Sequence, residues 1–247
     1  MTTPARTETG GPTRTPRSEI TPAVSASRKK EPVLLLDLST SMDWDAAPGG
    51  PEWNEHTRSG GRRGIVIEAL HGLVSALEEE DSEAAAEQAG GSDDLGGLMT
   101  HGFADGHKEI GDLNSSNLER HLNAIQWGGP TRIMPAWKAA LADYDEEFGD
   151  KDPDEQPTML TLVLTDGEAE DWADFGPVLE KAGPKRVFVV AIVGHGDRHD
   201  ATVRAYQQAS KKNAAQDKYG KEHVRVVSFD SVTDPHEIAT DLITLVS

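Results

Sequence analysis

The chain has no cysteine, which excludes disulfides, thiolate metal sites and a nucleophilic thiol, and fits a reducing cytoplasm. It also lacks any run of about 18 apolar residues, the length a membrane-spanning helix needs. The first thirty residues contain no apolar stretch that would serve as a signal-peptide core. A soluble protein, not exported by the usual route, is expected. Basic residues are the other deficit: 24 Lys and Arg stand against 43 Asp and Glu, a formal net charge of −19.

That deficit is uneven. Residues 1–30 hold six basic residues against Glu8 and Glu19 and are otherwise rich in Thr, Pro, Ser and Gly, a composition that cannot bury enough surface to offset ordering entropy. A disordered tail is expected there. Residues 31–247 then hold 18 basic and 41 acidic residues, a formal −23, which would repel nucleic acid and anionic lipid; the acidity reads as a well-solvated surface, with attraction of divalent cations as the alternative. At 247 residues the chain is long enough for one substantial core and short for two.

Within the body, apolar runs alternate with amphipathic ones. "PVLLLD" (32–37), "TMLTLVLTD" (158–166), "RVFVVAIVG" (186–194) and "VRVVSF" (224–229) are the near-continuous runs of strands buried on both faces of a parallel sheet. Helical spacing marks 64–80, 134–148 and 234–246, the second with Pro135 in its first turn and the third opened by Asp234, Pro235 and Glu237. Residues 95–113 read as a hairpin around Ala104-Asp105-Gly106, after the Gly- and acid-rich loop 89–94. The expected architecture is a doubly wound α/β domain, with a mostly parallel sheet, one antiparallel edge strand and helices on both faces.

In such a sheet ligands collect beyond the carboxyl ends of the strands. "VLLLDLSTSMDW" (33–44) ends its strand on Asp37 and places Ser39 and Ser41 at two-residue intervals, so that in an extended chain three oxygens face one point. Hard cations take such oxygens, about six of them for magnesium. Two later segments can supply more: "GGPTRIMPA" (128–136) carries Thr131 after a flexible Gly-Gly, and "TDGE" (165–168) places Asp166 at a strand end before Gly167. Alone, each has a plainer reading as a turn or a helix cap. Together they make a constellation.

An apolar strand ending in Asp-x-Ser-x-Ser, a Gly-Gly loop with threonine, and an apolar strand ending in Thr-Asp-Gly, in that order, resemble the von Willebrand factor A domain with an intact metal-ion-dependent adhesion site. The resemblance covers about residues 32–246. It implies that Ser39, Ser41 and Thr131 give hydroxyl ligands to Mg²⁺, Mn²⁺ or Ca²⁺, while Asp37 and Asp166 act directly or through waters. Neutral hydroxyls leave the ion electrophilic toward a carboxylate brought by a partner protein. Pro130 interrupts the usual Gly-Gly-Thr, and Arg132 stands where a small or acidic residue often follows the threonine. The pattern of 129–136 is similar to bacterial stand-alone members associated with tellurite resistance and stress response.

Other features carry weaker readings. Asp43, Asp45, Glu168, Glu170 and Asp171 crowd the same region as solvated surface. "HGDRH" (195–199) allows His195 and His199 a shared helical face for zinc but lacks a further ligand. "GGRRG" (60–64) reads as a hinge rather than an anion site. Trp127 and Trp137 read as core, whereas Trp44 and Trp53 lie in an insert, 42–64, of recognition-loop composition. Strand-terminal Asp37 also suits Mg-dependent phosphotransferases, but their second aspartate is replaced by Ser39, and no G-x-S-x-G elbow supports a hydrolase. The expectation is a cytoplasmic, non-enzymatic, metal-dependent interaction module that binds a protein carboxylate and neither nucleic acid nor membrane. A subunit whose metal only braces the fold is the third reading.

Overall fold

The computed structural model describes residues 30–43, 50–53, 61–87 and 97–246. The expected tail up to residue 29, the loop 89–94 and most of the insert 42–64, Trp44 included, lie outside the described residues.

Six strands form one sheet: β1 (Lys30–Asp37), β2 (Leu98–Phe103), β3 (His107–Leu113), β4 (Thr158–Thr165), β5 (Arg186–Gly194) and β6 (Val224–Asp230). Their order is β3-β2-β1-β4-β5-β6. All neighbours pair in parallel except β2 with β3, which pair antiparallel as the expected hairpin, Phe103 opposite His107. The chain winds outward from β1 in one direction to β2 and in the other to β4. The topological switch point therefore lies between the carboxyl ends of β1 and β4.

Among the described residues, six helices cover the two faces: α1 (Gly61–Glu87), α2 (Leu118–Ala124), α3 (Met134–Phe148), α4 (Trp172–Glu180), α5 (Gly196–Gln216) and α6 (Pro235–Val246). The period-2 alternation of β1 divides the core between them. Leu34 and Leu36 pack with Ile65 and Leu70 of α1, Leu122 of α2 and Leu242 of α6. Val33 and Leu35 face the opposite way, with Trp137 of α3, Phe175 of α4 and Tyr206 of α5. The expected doubly wound α/β architecture, with its single antiparallel edge strand, is present.

Local signals explain several ends. Asp234 accepts the His236 N–H at 2.8 Å ahead of α6, and Pro235 opens the helix, where a missing N–H costs nothing. The start of α3 is capped from a distance: the Asp171 carboxylate accepts the N–H groups of Ile133 at 3.1 Å and Met134 at 2.9 Å. Two boundaries differ from expectation. The stretch read as a hinge, 60–64, enters α1 at Gly61, and α1 runs to Glu87 rather than 80. The arginines there find internal partners, which holds the segment helical.

Leu35 is fully buried at the centre of the sheet. Leu35→Ala is expected to cost about 2–5 kcal/mol through lost transfer energy and a residual cavity, read as a lower urea midpoint with an unchanged slope.

Candidate metal centre

Asp37 ends β1 at the switch point, and its side chain is completely buried. One carboxylate oxygen accepts the Ser39 N–H at 2.8 Å, and the other accepts the Thr165 hydroxyl, from the end of β4, at 2.6 Å. The chain beyond is not extended, as the even spacing suggested. The aspartate–amide bond to Ser39 starts a turn, closed by Met42 N–H to the Ser39 carbonyl at 3.1 Å. The turn still brings the Ser39 and Ser41 hydroxyl oxygens within 3.1 Å of one another. Ser41 then donates to Asp166 Oδ1 at 2.8 Å. A chain of contacts, the first through the Ser39 amide and the next two between oxygens, thus links β1 to β4.

Thr131 comes close by a different route. Gly128 and Gly129 have φ of +127° and +105°, values that favour glycine, and this lets the loop latch onto the serine turn. The Gly129 carbonyl accepts the Thr40 N–H at 3.1 Å, and the Gly129 N–H donates to Thr40 Oγ1 at 2.9 Å. The Thr131 carbonyl accepts the Glu170 N–H at 2.7 Å, binding the loop to the segment after Asp166. Among the described residues no hydrogen bond joins the Thr131 hydroxyl to Asp37, Ser39, Ser41 or Asp166. The structure therefore brings four of the five expected residues into direct contact and sets the fifth in an adjoining, tethered loop.

Burial, and next the charge of Asp166, push Asp37 up to about 7; the hydrogen bonds from Ser39 and Thr165 work against that rise. What converges is oxygen only, the donor type that hard divalent cations take. Among the described residues, no group of three or more His, Asp or Glu side chains is placed to hold a metal ion. Any ion here must rely on hydroxyls beside the two aspartates.

Three further contributors were not among the expected ligands. Thr165 orients Asp37, and its oxygen also accepts the Gly167 N–H at 3.2 Å. Arg62 donates to Asp166 Oδ2 at 2.5 Å and holds Glu52 through Nε at 2.9 Å and a second nitrogen at 2.8 Å. Burial raises Glu52, but hydrogen bonds from Arg62 and Ser231 and the Arg62 charge outweigh it and hold the carboxyl below its usual range. Nothing local in the sequence ties residues 52 and 62 to 166.

The remaining candidates resolve individually. His195 pairs with Asp230 at 3.1 Å and His199 with the Ser228 hydroxyl at 2.8 Å, so the zinc reading has no shared site. Trp127 is buried with its indole N–H on the Leu122 carbonyl at 3.0 Å, and buried Trp137 packs on Phe188. Trp53 is exposed, and Trp172 packs edge-on against Tyr206. Of the surrounding acids, Asp43 pairs with Arg63 at 2.9 Å, Glu170 lies 3.6 Å from Arg132, and Asp171 caps α3.

No protein-family model and no curated protein sequence matches the chain. Solved structures do. A von Willebrand factor type A protein from Catenulispora acidiphila is 14% identical with a TM-score of 0.52, over 89% of this chain and 42% of that one. The SpRpn10 VWA domain is 7% identical with a TM-score of 0.53, over 85% of this chain and 93% of its own. The chain has the von Willebrand factor A fold. A manganese-loaded TRAP protein from Plasmodium vivax is a further neighbour, 16% identical with a TM-score of 0.51, over 90% of this chain and 73% of that one. The chain spans less than half the length of the first of these.

Within this von Willebrand factor A fold, Thr165 is the element that most directly secures Asp37. Thr165→Val keeps shape but leaves a buried carboxylate oxygen without its donor, at an expected cost of about 1–3 kcal/mol. Thermal melting in the presence of chelator reads that loss.

Proposed function

We propose that the chain is a metal-dependent protein-interaction module, in which Asp37, Ser39, Ser41, Thr131 and Asp166 hold a divalent cation that takes a carboxylate from a partner protein. The observation that carries this reading is the chain of contacts from Asp37, through the Ser39 amide and the Ser39 and Ser41 hydroxyls, to Asp166, at the switch point of the sheet. The manganese-loaded neighbour supports it. So does the Thr131 hydroxyl, which spends no hydrogen bond elsewhere among the described residues. Oxygen donors favour Mg²⁺ or Mn²⁺, with Ca²⁺ as the alternative, over softer-ligand zinc.

The partner's carboxylate is best flanked by basic or apolar groups, because Glu168 and Glu170 follow Asp166 and would repel further acid. The same acidity disfavours nucleic acid and anionic membranes, and among the described residues no helix is long and apolar enough to cross a membrane. A place in a bacterial stress-response or tellurite-resistance system rests on the pattern of 129–136 alone. Phosphotransfer from Asp37 has little support: the side chain is fully buried and both its oxygens already accept hydrogen bonds. A nucleophilic carboxylate needs an accessible oxygen.

Titration calorimetry with Mn²⁺ is expected to show binding by the wild type and none by Asp37→Ala or Asp166→Ala, with the fold retained by circular dichroism. Unchanged binding in both variants would remove the site assignment. Affinity capture with and without chelator then separates the readings, since partner capture that survives chelation and Thr131→Ala would leave the ion a structural brace.

A further inference from the structure

Arg62 is held where a metal ion would compete with it. Its guanidinium spans two carboxylates, with one nitrogen on Asp166 at 2.5 Å and two others on Glu52 at 2.9 and 2.8 Å. The side chains are shielded: 13% of Arg62, 12% of Glu52 and none of Asp166 is exposed. Both Asp166 oxygens are thereby engaged, one by Ser41 and one by Arg62. A guanidinium does not give up its proton in proteins, so its charge is permanent.

We propose that Arg62 is a built-in counter-cation of this site and sets its metal affinity. Without an ion it neutralises Asp166, which otherwise faces the fully buried Asp37 with like charge. A divalent cation arriving at the same carboxylates meets a fixed positive charge in a setting that salt screens poorly. The ion must therefore outweigh Arg62, and Glu52 decides how readily. Its bidentate grip gives the guanidinium a second carboxylate to rest on when Asp166 turns to the ion. Glu52 lies in the turn closed by Trp53 N–H to the Gly50 carbonyl at 3.1 Å, so the balance also ties the insert to the metal centre.

The second half of this inference rests on the metal-binding reading above; the neutralising role does not. Mn²⁺ calorimetry and thermal melting in chelator, applied to wild type, Arg62→Gln and Glu52→Gln, test the two halves separately. Arg62→Gln is expected to bind Mn²⁺ about tenfold more tightly and to melt lower in chelator, with Mn²⁺ restoring the loss. Glu52→Gln is expected to bind more weakly than wild type, because Arg62 then loses the second carboxylate that draws it off Asp166. Should Arg62→Gln not fold, the neutral Arg62→Met carries the test with the same expected tighter Mn²⁺ binding and lower melting point in chelator. Equal or weaker Mn²⁺ binding by Arg62→Gln overturns the affinity role and leaves the metal site intact. An unchanged melting point in chelator overturns the neutralising role. Absence of Mn²⁺ binding in every variant removes the metal reading and the affinity role together.

Discussion

Two carboxylates meet at the carboxyl ends of neighbouring parallel strands, and much of the surrounding architecture compensates for them. Asp37 is entirely buried, and Asp166 nearly so. Desolvation and like charge both oppose such a pair, so each oxygen needs a donor. The donors come from four places: the Ser39 amide, the Ser41 hydroxyl, the Thr165 hydroxyl and the Arg62 guanidinium. These rest on three structural decisions. The serine turn must reverse at Ser39, β4 must end in register at Thr165, and α1 must begin early enough to deliver Arg62.

The frame of the protein was legible because its strands are apolar on both faces. Runs such as 158–165 and 186–194 have few other homes than the middle of a parallel sheet, and the Ala104-Asp105-Gly106 turn marked the hairpin. Helix α5 escaped notice for the converse reason. Its inward face is sparse and partly polar, made of His199, Thr202, Tyr206, Ala209 and Asn213, so no apolar stripe announces it. Helix α4 carries Gly176 and Pro177 inside nine residues, which obscures its period.

The oxygen cluster was legible as residue types in order, but its geometry was not. Even spacing suggested an extended strand, whereas the Asp37 carboxylate captures the Ser39 amide and turns the chain at once. Residues 60–64 read as a hinge because three glycines flank two arginines. The arginines at 62 and 63 sit in a helix and are held by Glu52, Asp166, Asp43 and Asn123, partners that only the tertiary fold supplies. Long-range ion pairs of this kind leave no local periodicity to find.

The pairing of β1 with β4 has a consequence for folding. Thr165 lies 128 positions from Asp37, and Asp166 lies 125 from Ser41, so the oxygen cluster does not exist until the two central strands have closed the longest loops in the sheet. Contacts of such separation form slowly, since loop entropy is lost before any contact repays it. An unfolded chain offers an ion at most the local serine turn, without Asp166 or Thr165 beside it. Any cation the assembled cluster holds is therefore a ligand of the native state alone, and by mass action its free concentration becomes one of the variables that set how much of the chain is folded.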